Sequence, residues 1–191
     1  NMPGFETGHF FFREGPSMAS SDYATLTLHG VGGHGAMPHT TADTVVAAAA
    51  IVTALQTVVS RNVDPLQTAV VTVGALNAGH ANNVIPAQAR LELSVRALDP
   101  KVRTLLRERI RELVELQAAS FKVRAEIDWR EGYAVLVNAS APTRLAAQVA
   151  MDMFGAERVH TDAQPLTASE DFAFMLEKKP GAYIMIGNGG D

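Results

Sequence analysis

Between positions 23 and 130 the hydrophobic period of the chain switches repeatedly, and each switch marks an element. In 23–29, Ala24, Leu26 and Leu28 alternate with Thr25, Thr27 and His29, the period-two signature of a half-buried strand. A glycine-rich loop follows. Thr40-Thr41-Ala42-Asp43 then offers capping side chains to a helix rich in Ala, Val and Leu that runs to about Arg61. Residues 67–76 are a β-branched strand and 77–83 a loop. In the strand 88–96, Leu91, Leu93 and Val95 face one way and Arg90, Glu92, Ser94 and Arg96 the other. Asp99-Pro100 pairs a cap residue with proline at the first helical position. Val102, Leu105, Leu106, Ile110, Leu113 and Val114 then recur at three- and four-residue spacing. Phe121, Val123, Ala125, Ile127 and Trp129 alternate without a break with Lys122, Arg124, Glu126, Asp128 and Arg130, which predicts a further strand.

The order β-α-β-β-α-β is that of a ferredoxin-like two-layer sandwich, an α/β (α+β) fold with both helices on one face of an antiparallel sheet. Its other face is polar and free to meet water or a partner. After Glu131 the pattern fragments. A helix covers 141–154, a turn-rich stretch runs to Thr167, and Ser169-Glu170-Asp171-Phe172 opens a helix with the serine as cap. A short buried strand spans 182–186. Residues 1–22 are irregular apart from an extended patch at 9–13. These readings divide the chain into 1–22, 23–130 and 131–191, the middle part being inserted in a domain built from the two flanks.

Composition narrows the function classes. Of 191 residues, 47% are hydrophobic and 19% charged, a globular balance. The net charge of −4 argues against nucleic acid or an anionic membrane as partner. The longest apolar block, 45–52, falls short of the ~20 residues that cross a bilayer. The chain has no cysteine, which fits a reducing compartment and a cytoplasmic location. It begins Asn1-Met2-Pro3-Gly4 and ends Gly187-Asn188-Gly189-Gly190-Asp191, so both ends read as cut.

The densest candidate chemistry is Gly30-Val31-Gly32-Gly33-His34-Gly35, followed by Pro38-His39. As a dinucleotide fingerprint it fails, because no helix opens at once and positions 47–56 hold no carboxylate. As a metal site, His34 and His39 lack a third ligand nearby. As a turn, the glycines supply positive φ and His39 satisfies a local carbonyl. Asn82-Asn83-Val84-Ile85-Pro86 is either an Asx-turn or an amide donor held on a strand start. Arg96 is either a solvated arginine or a two-pronged grip on a carboxylate. Glu170 and Asp171 read best as charges complementing a helix dipole.

Taken in order, Asn1-Met2-Pro3-Gly4, Gly33-His34-Gly35-Ala36-Met37-Pro38-His39, Asn83-Val84-Ile85-Pro86, Ser169-Glu170-Asp171-Phe172, Pro180-Gly181 and Gly187-Asn188-Gly189 resemble the di-metal amidohydrolases and metallopeptidases. The likeness is greatest to the branch of hippurate hydrolase and the N-acyl amino acid amidohydrolases, and it covers essentially the whole chain. The resemblance implies a lid and dimerisation domain, 23–130, inserted in a partial catalytic domain. It implies hydrolysis of the amide bond of N-acyl amino acids, and a homodimer formed through the lid. It implies two divalent metal ions (zinc, manganese, cobalt or nickel) whose ligands all lie outside these residues, one of them just before Asn1. His34 matches the lid histidine that donates to the developing oxyanion from the neighbouring subunit. Asn83 and Arg96 match substrate-binding positions, the arginine as a clamp on the free carboxylate, with His39 a further substrate-binding candidate. The alternative is a non-catalytic dimerisation or ligand-binding module without a metal centre.

Overall fold

A computed structural model describes residues 3–190; the first two residues of the Asn1–Gly4 motif and the terminal Asp191 lie outside them. The strands are β1 (Phe10–Phe11), β2 (Gly15–Met18), β3 (Asp22–His29), β4 (Gly33–His34), β5 (Ala69–Ala78), β6 (Val84–Ile85), β7 (Gln88–Ala97), β8 (Arg124–Glu131), β9 (Leu136–Asn138), β10 (Val159–His160) and β11 (Met185–Ile186). The helices are α1 (Thr44–Asn62), α2 (Pro100–Ser120), α3 (Ser140–Phe154) and α4 (Ala173–Leu176). The chain folds as two compact units, one from Ser21 to Gly132 and one from the residues to either side.

In the central unit the four long strands form an antiparallel sheet in the order β5-β7-β3-β8. With α1 and α2 this is the ferredoxin-like arrangement. Alternation decides which side chains go inside: Ala24, Leu26 and Leu28 of β3 and Leu91, Leu93 and Val95 of β7 are buried against Ile51, Leu55, Leu106 and Ile110 of the helices. Truncating one such leucine to alanine costs about 2–5 kcal/mol. Asp43 Oδ1 accepts from the Val45 and Val46 N–H groups to start α1. Asp99 does the same for α2, accepting from Lys101, with Pro100 in the first turn.

Three expectations change here. Strand β5 runs on to Ala78, through two residues read as loop, because a bulge between Val73 and Ala75 shifts the register and so breaks the period-two pattern. Strand β8 starts only at Arg124; Phe121 caps α2, and Lys122 turns the chain with φ 58°. Helix α1 is, by length and composition, long and apolar enough to cross a membrane, although the 45–52 block alone read as too short. Its Ala47, Ala48, Ile51, Leu55 and Val58 are packed inside this unit.

Where the chain enters and leaves the central unit, Asp22 is 2% exposed. Its carboxylate takes two hydrogen bonds from Arg103, at 2.8 and 2.6 Å, and one from the Gly132 N–H at 3.1 Å. A Cβ on Gly132 would lie 2.2 Å from the Ser21 carbonyl oxygen. The two crossing strands therefore touch backbone to backbone.

The outer unit is built from short pieces. Strand β1 lies between β10, parallel, and β11, antiparallel, and β2 pairs with β9. Asn138 is buried and ties three segments together. Its amide donates to the Arg13 and Tyr183 carbonyls at 2.9 and 3.1 Å and accepts from the Tyr183 N–H at 2.7 Å. His9 Nδ1 and His160 Nε2 share a hydrogen bond of 2.9 Å. The expected strand 182–186 reduces to two residues. Ser169 does not cap α4, whose N-cap position is Phe172 without a side-chain hydrogen bond.

Candidate functional site

The loop of residues 30–36 is held against the segment 83–87. His34 pairs with Val84 and Gly33 with Ile85. The Gly35 N–H donates to the Asn83 carbonyl at 2.7 Å, and the Gly30 N–H to the Ala87 carbonyl at 2.9 Å. None of Gly30, Gly32, Gly33 and Gly35 has positive φ, which corrects the turn reading. The reason for glycine is closeness. A Cβ would stand 2.1 Å from the Ala42 oxygen at Gly30, 2.8 Å from the Ile85 oxygen at Gly32, and 3.1 Å from the Asn83 oxygen at Gly35. The glycines make neither a phosphate cradle nor a flexible turn; they let two backbones meet.

That contact brings His34 and Asn83 to one tip of the central unit. His34 is exposed, and its Nδ1 accepts from the Ala36 N–H at 3.1 Å. With Nδ1 used as acceptor, the neutral ring carries its proton on Nε2. Nε2–H is then the donor of that ring. His39 shares the loop, exposed, in a short 3-10 turn at Pro38–Thr40. The local carbonyls of Met37 and Pro38 are satisfied by the Thr40 and Thr41 hydroxyls, so His39 is not there to do that.

Arg96 is elsewhere. It stands at the opposite end of β7, beside Val70 of β5. Eight residues separate it from Gln88, which faces His29 just before the glycine loop. At the rise of an extended strand this is roughly 26 Å. Within one chain the structure does not bring Arg96 to His34 and Asn83.

In the outer unit a cluster emerges that residue patterns did not reveal. Tyr183 donates to Glu170 Oε2 at 3.0 Å. The hydrogen bond shared with Asp171, and then that from Tyr183, lowers the Glu170 carboxyl, while the same shared bond raises Asp171. Burial raises the Tyr183 phenol, and Glu170 adds to it. Glu170 thus takes one hydrogen bond from the Tyr183 hydroxyl and one from the Asp171 N–H, at 3.1 Å, just before α4. Nothing in the spacing of residues 170 and 183 announces this, because the segment between them is only one helical turn and loops. Among the described residues no group of three or more His, Asp or Glu side chains could hold a metal ion. These described residues do not fit a metal centre.

Comparison with known proteins completes the description. A family model described as a peptidase dimerisation domain matches residues 19–122. Hippurate hydrolase of Campylobacter jejuni is 40% identical over 191 residues, covering 100% of this chain and 50% of the relative. N-acetyl-L-cysteine deacetylase of Bacillus subtilis is 38% identical, covering 100% of this chain and 45% of the relative. Among solved structures, a dinuclear metal-binding peptidase of the M20 family from Bacillus subtilis superposes with a TM-score of 0.77 at 28% identity, over 98% of this chain and 46% of the other. This chain spans about half the length of the curated relatives it matches.

Proposed function

The chain belongs to the M20 peptidase dimerisation-domain family, and we propose that it supplies the lid and part of the catalytic domain of a homodimeric hydrolase of N-acyl amino acids. The observation that carries the reading is His34, an exposed ring whose Nδ1 accepts from the Ala36 N–H, leaving Nε2–H as its donor, beside the loop that presents Asn83. When water adds to an amide carbonyl, negative charge collects on the oxygen. A donor fixed beforehand at that oxygen lowers the barrier, and losing one costs about 10²–10³ in rate. Nε2–H of His34 is suited to that position, and the Asn83 amide supplies a second N–H from the same tip. A metal pair is reported for the Bacillus subtilis peptidase. The described residues offer it no holder, so no step is drawn through it. The absence of cysteine supports a reducing, cytoplasmic setting.

The 26 Å between the two ends of β7 then requires a second chain, because one N-acyl amino acid cannot span it. The sheet suggests how. Among the described residues strand β5 is an edge, paired with β7 alone, and the central unit exposes large apolar side chains that include Val31, Met37, Val45, Val46, Leu76 and Val84. The other edge is charged, with Arg107, Arg109 and Glu112 on α2 and Arg124, Glu126 and Glu131 on β8 in ion pairs. A twofold pairing of β5 with its copy, centred near Gly74, sets Asn77 opposite the partner's Val70. Val70 neighbours Arg96. The tip carrying His34 and Asn83 therefore falls beside the partner's Arg96, which would clamp the substrate carboxylate through two parallel hydrogen bonds.

The test is a panel of N-acyl amino acids offered to the full-length protein. His34→Ala should lower kcat about 10²–10³ with metal content unchanged. Loss of metal, or no hydrolysis of any member by the unaltered protein, overturns the assignment.

A further inference from the structure

On the hydrolase reading, the geometry points to a second anion subsite at the same tip, one that selects substrates by a carboxylate beyond the one held by Arg96. A 470 Å³ groove opens where β5 ends and β7 begins, and Asn77, His80, Gln88 and Arg90 are among its lining residues. Asn77 stands opposite Arg90 in the register. Strand alternation puts Gln88 with them on the polar face, while Ala89 is buried on the other.

The fold makes little use of these groups for itself. Elsewhere on that face the polar side chains are paired off: Thr25 with Glu92 at 2.9 Å, His29 with Glu126 at 3.3 Å, and Arg124 with Glu126 at 3.7 Å. Among the described residues, the Asn77, His80 and Gln88 side chains make no hydrogen bond to the protein. Arg90 pairs with Glu92 through Nη2 at 2.6 Å, and a guanidinium has five N–H donors.

The groove is also physically joined to the His34–Asn83 site. Its two walls are linked by the loop 79–87, which carries Asn83 in its middle. Gly79, with φ +66°, turns that loop so that a Cβ there would be 3.5 Å from the Pro86 ring. His80 and Asn83 are thus three residues apart on one short, tethered loop. A substrate whose carbonyl rests on His34 and Asn83 has this groove as its neighbour. Donors from an arginine, a histidine and two amides match a side-chain carboxylate. The preferred class is N-acyl derivatives of dicarboxylic amino acids.

Two measurements decide. In the full-length protein, kcat/KM for N-acetylglutamate relative to N-acetylalanine should fall about 10-fold in both Arg90→Gln and His80→Ala, since a charge-assisted hydrogen bond is lost. An unchanged ratio in both variants overturns the subsite and leaves the hydrolase reading standing. Separately, titrating the chain with N-acetylglutamate should move the His80 ring resonances in NMR spectra, and N-acetylalanine should move them less. Equal shifts from both ligands, or none, also overturn it. Shifts confined to N-acetylglutamate with no hydrolysis of any N-acyl amino acid support the subsite and remove the hydrolase reading alone.

Discussion

Mixing two inactive variants tests the shared site. If His34 acts on the partner's substrate and Arg96 on its own, each active site takes one residue from each chain. His34→Ala should lose about 10²–10³ in kcat. Arg96→Ala should lose a two-pronged grip on the carboxylate, expressed mainly in KM. In a heterodimer of the two variants, one site inherits both defects and the other inherits neither. Random reassortment of equal amounts gives half heterodimers, each with one sound site, so about a quarter of the unaltered activity returns. The assay is steady-state hydrolysis of an N-acetyl amino acid after the variants have been unfolded together and refolded, against each variant refolded alone. No rescue, with heterodimers shown to form, would mean that both residues serve the same site. The 26 Å separation along β7 would then have to be closed by a rearrangement that this sheet does not allow, and the reasoning would fall.

Other consequences are simpler to state. Gly30→Ala puts a Cβ 2.1 Å from the Ala42 oxygen and should cost about 1–3 kcal/mol in denaturant unfolding. It should also lower activity through His34, whereas alanine at the open Gly4 or Gly8 would test only their positive φ. Asp22→Ala removes the carboxylate that takes two hydrogen bonds from Arg103 and one from the Gly132 N–H and should cost about 3 kcal/mol; stability within about 1 kcal/mol of the unaltered chain, a factor of roughly five in the equilibrium constant, would deny the junction its role. Val46→Asp or Leu76→Lys should shift the protein from dimer to monomer in light scattering, and Leu116→Lys, on the outer face of α2, should not. Tyr183 is raised above its ordinary value near 10. Its stabilising contribution is therefore complete below that value and lost as pH rises through the folded one. Tyrosinate absorbance should show one of three tyrosines titrating late, and Tyr183→Phe should remove both the late step and that part of the alkaline destabilisation.

The elements visible in the sequence were those whose burial imposes a period over several residues. In β3 and β7, and in α2, every second or every third-to-fourth position is buried, and in β8 alternate positions are half-buried, so the pattern is long enough to read. Strands β1, β10 and β11 have two residues each and no period at all. Their pairing joins residue 10 to residues 159 and 186, and no local signal carries that. Gly74 spoiled the reading of β5 by inserting a bulge into an otherwise regular strand. At the site, His34 and Asn83 could be named from the resemblance, but residue types alone left them between turn and function. The structure adds that their loops form one ladder, and that the glycines between them are needed for contact rather than for unusual φ.

The position of Arg96 carries the argument furthest. A four-stranded sheet covered by two helices is stiff along its strands, so the distance from its tip to its base does not vary as a loop would. If His34 is the oxyanion donor and Arg96 the carboxylate clamp, as proposed, neither serves a single small substrate within one chain. On that proposal, pairing about the β5 edge would join opposite ends of two copies, and assembly would become a condition of catalysis rather than an addition to it. Specific activity should accordingly fall in proportion to dimer fraction on dilution, tracked by fluorescence anisotropy of a labelled chain. Activity per chain that stays constant well below the dimer dissociation constant would show that one chain suffices, and with that the shared site would have to be abandoned.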